Sequence, residues 1–269
     1  MYTFTVERPD VTSAWIAACN ELDRKSNPHR TAYHTVVRIA DPSRDDPAFR
    51  AELERVRAHA MRDEFEPIET VANTIFPAAL AAASDSHDHL ASRYQDMYAR
   101  VRRFPGNHYD TYFGRLIAYP GPAGGSPIEQ LGRVIDRLKQ QSASKTPMTA
   151  AYEADVAHPA SDDLLVSEEA HVHVGGRDNR TRGFPCLSHC SFQLDAGQTV
   201  HATAYYRYHY MLDRAYGNYL GLGRLLAYVA DRAGLPHGTL TVMAGYARLE
   251  GHLTLLRPLL GGTQPMLSV

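Results

Sequence analysis

"FPCLSHCSFQLDAGQTVHATAYYRYHYMLDRAYGNYLGLGRLLAYVA", residues 184–230, decides how the rest of the chain is read. Val200, Ala202, Ala204 and Tyr206 alternate with His201, Thr203, Tyr205 and Arg207, the period of a half-buried strand. An Asp195-Ala196-Gly197 turn, preceded by Leu194, joins that strand to an earlier one. Downstream, Leu222, Leu225, Leu226, Val229, Ala230 and Ala233 recur at helical spacing, and Gly234 supplies the stop. The stretch is therefore a strand–turn–strand–helix unit. Its cysteine, arginine and asparagine pose a choice between a hairpin that happens to carry polar residues and a nucleophile facing an anion-binding arginine.

Outward from this unit, "DVTSAWIAACNELDR" puts Trp15, Ile16, Cys19 and Leu22 on one helical face, with Cys19 in the core. Asp46 before Pro47 reads as an N-cap and first-turn proline, followed by inward Phe49, Leu53 and Val56. "SPIEQLGRVIDRLKQQ" predicts a helix with Ser126 and Glu129 as a capping box and a stripe of Ile128, Leu131, Ile135 and Leu138. Residues 146–176 alternate like strands broken by proline and acidic turns, and "GTLTVMAGYARLE" is a further strand. No repeat or low-complexity linker interrupts the chain. Residues 1–269 read as one α+β domain, a mixed sheet flanked by helices.

Composition narrows the function. The 269 residues are 44% hydrophobic and 22% charged, with a formal net charge of −2 and no polybasic block. Nucleic acid and anionic membrane are poor partners for such a surface. Three cysteines, Cys19, Cys186 and Cys190, do not make a disulfide framework and suit a reducing compartment. With neither a signal pattern nor a long apolar run, the expected location is the cytoplasm.

Each candidate motif has a plain alternative. "GNYLGLG" has dinucleotide-like glycines, but they fall inside a helical pattern, where they serve close packing. His87 with His89, and His171 with His173, have ligand-like spacing without a third ligand, so no metal is expected. Cys186 starts one strand of the hairpin and Arg207 closes the other. A guanidinium there would favour thiolate, lowering the thiol from about 8.5, and could hold a phosphate through paired charge-assisted bonds. The same pattern also fits a buried structural cysteine and a surface arginine.

"PCL", then "FQL", "TAYYR", an asparagine eleven residues after that arginine, and "GLGRLLAYVADRAGLPHGTL" resemble the thymidylate synthase superfamily, which includes pyrimidine-nucleotide hydroxymethylases. The resemblance is strongest over residues 184–250 and to the short archaeal-type members. It implies the family's α+β fold, a homodimer formed through the sheet face, and a pyrimidine nucleoside monophosphate as substrate. It also implies Cys186 as the nucleophile that adds to C6 of the ring, Arg207 as a phosphate ligand, Asn218 as reader of the pyrimidine edge, and Glu69 as the carboxylate managing ring protons. Counting back from Gln193 instead puts Ser188, followed by His189, at the nucleophile's place. Counting from "PCL" keeps Cys186 there, with an extra residue in the turn.

Departures from the family pattern set the expected divergence. Tyr208 and Tyr210 stand where the family has serine and a folate-binding aspartate, so use of methylenetetrahydrofolate is in doubt and Tyr210 faces that position. Arg248 and Glu250 replace the histidine and tyrosine that hold a deoxyribose hydroxyl, and Lys145 and Thr146 stand where partner-subunit arginines are expected. The leading expectation is a diverged C5 methyl- or hydroxymethyltransferase. Two alternatives remain: an enzyme of another reaction that does not use folate, and a non-catalytic nucleotide-binding paralogue.

Overall fold

A computed structural model describes residues 1–61, 66–103, 111–121, 125–144, 169–171, 186–196, 198–251 and 253–261. Gly197, Lys145, Thr146, His173 and most of the alternation expected over 146–176 lie outside the described residues.

In chain order the elements are β1 (Thr5–Arg8), α1 (Val11–Leu22), β2 (Thr31–Ile39), α2 (Pro47–Met61), α3 (Ile68–Ile75), α4 (Ala78–Ala82), α5 (His87–Val101), α6 (Tyr112–Ile117) and α7 (Gln130–Ser142). There follow β3 (Glu169–His171), β4 (Leu187–Leu194), β5 (Val200–Tyr210), a π-helical turn (Met211–Ala215), α8 (Tyr216–Ala233), β6 (His237–Arg248) and α9 (Leu253–Leu260). The strands form one sheet in the order β1-β2-β6-β5-β4-β3. β1 runs parallel to β2 and β5 parallel to β6, while the other pairs are antiparallel. This is an α+β architecture with a mixed sheet.

The hairpin and helix expected from residues 184–230 are present. Val200, Ala202, Ala204 and Tyr206 are buried, as are Leu222, Leu225, Leu226, Val229, Ala230 and Ala233. Gly234 closes α8 in the left-handed region at φ 74°. Asp46 caps α2 through the amides of Ala48 and Phe49, at 2.9 and 3.1 Å. The cap expected at Ser126 is a different one. α7 begins at Gln130, and Glu129 itself accepts from the Gly132 amide. The reason is a two-residue bridge: Tyr119 and Ile128 exchange amide–carbonyl bonds of 2.8 Å in both directions, holding Ile128 extended.

The glycines of "GNYLGLG" are packing glycines. α8 lies against α3 so closely that a β-carbon on Gly217 would sit 2.7 Å from Val71 Cβ, and against the loop after β2 so closely that one on Gly223 would sit 2.0 Å from the Pro42 carbonyl oxygen. Trp15, fully buried, donates its indole N–H to the Met211 carbonyl at 2.7 Å and meets Phe49 and Tyr216 edge-on. That bond ties α1 to the turn between β5 and α8.

Four neighbouring strands share one irregularity. The buried side alternates along each strand and then slips by three residues: Ala32 to Thr35 on β2, Ala244 to Ala247 on β6, Tyr206 to His209 on β5, and Leu187 to Cys190 on β4. Between the buried residues stand two consecutive residues that are not buried: Tyr33 and His34, Gly245 and Tyr246, Arg207 and Tyr208, Ser188 and His189. His34 absorbs its slip at φ 50°, and on β4 the slip is a bulge between Leu187 and His189. The opposite face carries Tyr33, Met243 and Tyr210, each about 40% exposed, with Tyr33, Tyr246, Tyr208 and Tyr210 in successive ring contact.

Candidate functional site

β4 carries an irregularity of its own at this point. His189 pairs with Tyr205 and Leu187 with Tyr206, which leaves Ser188 as the odd residue of the pairing. Cys186 then comes to lie opposite Arg207, whose amide donates to the Cys186 carbonyl at 2.9 Å. Both residues sit at the line of slips, four residues before the π-helical turn in the case of Arg207.

Around the Cys186 thiol the described groups are mainly cationic or phenolic. Arg207 and Arg214 both act on the sulfur, and the Tyr112 hydroxyl takes hydrogen bonds from the backbone amides of Leu187 and Cys186. Burial pushes the Cys186 thiol up from its ordinary value, against the pull of both guanidiniums. The sequence alone points the other way, with arginine lowering it. Desolvation is the stronger effect, because the strand end carrying Cys186 is half-buried. Burial likewise raises Tyr112, to about 12, and raises Tyr206 strongly. The Tyr206 hydroxyl lies among Tyr112, Cys186 and Cys190 and, although wholly enclosed, makes no hydrogen bond among the described residues. Leaving such a group unsatisfied costs about 1–3 kcal/mol. Buried polar groups without partners are uncommon in folded proteins.

Asn218 is buried and donates from Nδ2 to His209 Nε2 at 3.0 Å. His209, pushed down to about 3 by burial, is a neutral ring stacked on Tyr206 with centroids 4.4 Å apart and an interplanar angle of 10°. Asn218, His209, Tyr206 and Cys186 are thus one continuous constellation.

Other expected site residues lie apart from it. Glu69, exposed on α3, is gripped by Arg224 at 2.8 and 2.9 Å and by Arg50 at 2.8 Å. The Arg224 hydrogen bonds, with the charges of both arginines, hold its carboxyl below the usual range. A carboxylate so held is poorly suited to trading protons near neutrality. Glu250 turns inward: its two oxygens accept the amides of Met211 and Asp213 at 3.1 and 2.6 Å, capping the π-helical turn. Arg248 hydrogen-bonds the Tyr208 side chain, and Tyr210 packs on Tyr208 with centroids 4.4 Å apart, both on the opposite face. His189 stacks with Tyr205, and burial lowers its pKa. Gln193 bonds Ser191 beside the other end of the hairpin.

Two residues of the constellation were missed from the sequence, Tyr112 and Arg214. Arg214 had a legible signal, a second arginine seven residues after Arg207 at a helix start. Tyr112 had none, since only the fold brings α6 to the start of β4. Among the described residues no group of three or more histidine, cysteine or carboxylate side chains could hold a metal. His87 instead contacts Tyr228 and Glu129 at 3.2 and 3.1 Å. No described helix is long and apolar enough to cross a membrane.

No family model matches the chain. Similarity to curated proteins is found, in each case to one named "Putative thymidylate synthase". The relative from Methanococcoides burtonii is 36% identical over 75 residues, 28% of this chain and 34% of its own. Those from Methanosarcina barkeri and Methanopyrus kandleri are 25% and 28% identical over 142 and 139 residues. These alignments cover 53% and 54% of the two relatives and about half of this chain. The relationship is thymidylate-synthase-like. This chain spans between a third and about half the length of the curated relatives it matches.

Proposed function

We propose that this chain binds a pyrimidine nucleoside monophosphate and adds the Cys186 thiolate to C6 of the ring, as a diverged C5 methyl- or hydroxymethyltransferase. The observation that carries the reading is the pairing of Cys186 with Arg207 at the end of β4 and β5, with Asn218 joined to it through His209 and Tyr206. Addition forms the S–C6 bond and moves the C5–C6 electron pair onto C5, making that carbon the nucleophile toward a one-carbon electrophile. Loss of the C5 proton and departure of the thiolate then restore the ring. Reduced folate does not fit the residues present. Where the resemblance places an aspartate, Tyr210 offers a ring packed on Tyr208 and no carboxylate. No step is therefore routed through folate.

The alternative of a non-catalytic nucleotide-binding paralogue is favoured by one observation, the upward displacement of the Cys186 thiol. The two readings differ in a simple optical measurement. Covalent addition removes the C5–C6 double bond, so a bound nucleotide should lose ring absorbance with the native protein and keep it with Cys186→Ala. Calorimetric titration with UMP, dUMP, CMP and uridine, each with and without methylenetetrahydrofolate, tests the substrate. The phosphate should strengthen binding by roughly tenfold or more, from a charge-assisted bond of about 1.5–3 kcal/mol. We expect no preference for the deoxy sugar and little effect of folate. Tight dUMP binding that folate strongly enhances would restore an ordinary thymidylate synthase.

The proposal includes a homodimer. The face of the sheet opposite the buried alternation carries Tyr33, Met243 and Tyr210 with their ring neighbours, a patch suited to burial against its own copy. Sedimentation should give a dimer at micromolar concentration, and a stable monomer there would remove this part of the reading.

A further inference from the structure

The other end of the β4–β5 hairpin carries a second cluster of reactive side chains. β5 and β6 pair at Val200 with His237 and next at Ala202 with Leu240, so two steps along β5 match three along β6. This bulge brings the His201 ring against the start of β6, where only glycine leaves room for it. A β-carbon on Gly238 would stand 2.5 Å from His201 Cε1, 2.7 Å from Nδ1 and 2.8 Å from Thr199 Cγ2.

His201 Nδ1 accepts the backbone N–H of Thr239 at 3.0 Å. That bond fixes the tautomer: Nδ1 is the bare nitrogen, and the proton of the neutral ring is on Nε2. Nε2 faces Asp195 Oδ2 at 3.3 Å. The Thr239 hydroxyl lies 2.8 Å from the bare Nδ1 and donates to it. Asp195 is held in turn, its other oxygen accepting the Thr199 amide at 2.8 Å. A hydroxyl, an imidazole acceptor and a carboxylate thus stand in one hydrogen-bonded line, the arrangement of a nucleophile, its base and the group that orients the base. Solvent reaches the line, with the His201 and Asp195 side chains 29% and 45% exposed and Thr239 half-buried.

We infer that Thr239 is a nucleophile, with His201 as its general base and Asp195 as the positioning residue, and that it accepts the acyl group of a small, uncharged, activated ester. The inference is independent of the nucleotide reading. His201 precedes Arg207 by six residues on β5, about 20 Å along the strand, and Thr239 precedes Met243 by four on β6, about 13 Å from the aromatic patch. Attack forms the Oγ–carbonyl carbon bond as the hydroxyl proton passes to Nδ1. The bond from that carbon to the leaving oxygen then breaks, and the leaving oxygen takes the proton from Nδ1. Water releases the acid from Thr239 by the same route, with nothing oxidised or reduced. A general base contributes roughly 10²–10⁴-fold, which suits esters with a good leaving group. Asp195, and Asp41 at 3.6 Å from His237, place negative charge at this end of the sheet, which favours an uncharged ester over an anionic one.

The test is acetylation of the full chain by p-nitrophenyl acetate, carried out in Cys186→Ala to remove the competing thiol. A burst of about one p-nitrophenolate per chain is expected, with the acetyl group found on Thr239 by peptide mass spectrometry. Thr239→Val should abolish the burst and Thr239→Ser should keep it. His201→Gln should slow it by roughly a hundredfold. Asp195→Asn should slow it severalfold, and Asp195→Glu should recover part of the loss, since only a carboxylate orients the protonated ring. Gly238→Ala retains all three groups yet should lose the burst, because the atoms its methyl would meet are side-chain atoms and the His201 ring gives way before the backbone does. Should Thr239→Val fail to fold, Gly238→Ala decides. The succinate half-ester of the same phenol should react more slowly than the acetate, and an equal or faster rate would remove the preference for uncharged esters. No acetyl group on Thr239, or a burst unchanged in Thr239→Val or Gly238→Ala, would overturn the inference.

Discussion

Gly221→Val should destabilise the chain by more than about 3 kcal/mol, at or beyond the upper end of what overpacking commonly costs. A β-carbon there would stand 2.7 Å from the Ala72 carbonyl oxygen, 2.9 Å from Ile75 Cβ and 3.1 Å from Ala72 Cα. Two of those three atoms are backbone of α3, so no side-chain rotation relieves the clash. Valine adds two further methyl groups and a branched carbon within a helix. The two helices would have to separate, and α8 carries Asn218 while following directly on Arg214. Gly234→Ala is the control. Gly234 adopts φ 74° with nothing within 4 Å of the methyl that alanine would add, so only backbone strain of about 1 kcal/mol is expected. Urea unfolding of both variants separates packing from strain. A Gly221→Val protein as stable as Gly234→Ala would show that α3 and α8 are not so tightly joined.

Glu250 should make stability depend on pH in a way Glu250→Gln abolishes. Burial raises its carboxyl from 4.5 to about 7, although the backbone amides it caps favour the charged form. The unfolded chain releases this proton near 4.5, whereas the folded chain keeps it until about 7. Stability from this group is therefore fully present below about 4.5 and is lost as pH climbs toward and through 7. The span corresponds to roughly 3 kcal/mol at about 1.4 kcal/mol per pH unit. Glutamine keeps the shape and one acceptor and cannot ionise, so the native and variant curves should diverge as pH rises across this window. Asp41 and Glu69, both displaced downward, act on the acid side of it and cancel in the comparison. Parallel stability curves for the two proteins between about pH 5 and pH 8 would mean that Glu250 is not the titrating group.

Much of the fold is legible in the sequence because it is written in local periods. The alternation in β5, the stripe and glycine stop of α8 and the Asp46-Pro47 start of α2 each need only a few residues to declare themselves. The site was legible where it is local too: Cys186 and Arg207 belong to one hairpin. What escaped depends on long-range closure. Tyr112 reaches β4 from α6, and Glu250 reaches back to amides some forty residues earlier, so its charge looked available for a ligand when it is spent on a helix start. The direction of the Cys186 shift escaped for a related reason. A neighbouring arginine can be read from sequence, but the burial that outweighs it cannot.

The shared slip across β2, β6, β5 and β4 has a consequence for how this chain can be compared with distant kin. Removing one residue from a single strand at that line would throw everything beyond it out of phase with three unaltered neighbours. Side chains on the helix side would trade places with those on the aromatic side. Substitutions can therefore accumulate freely in these strands while their lengths stay locked together. Gap placement is normally pushed into loops, yet the odd residue here, Ser188, lies inside β4. An alignment that forbids gaps within strands will slide Ser188 or His189 across from Arg207 in place of Cys186, and divergence measured that way will be overstated along this stretch.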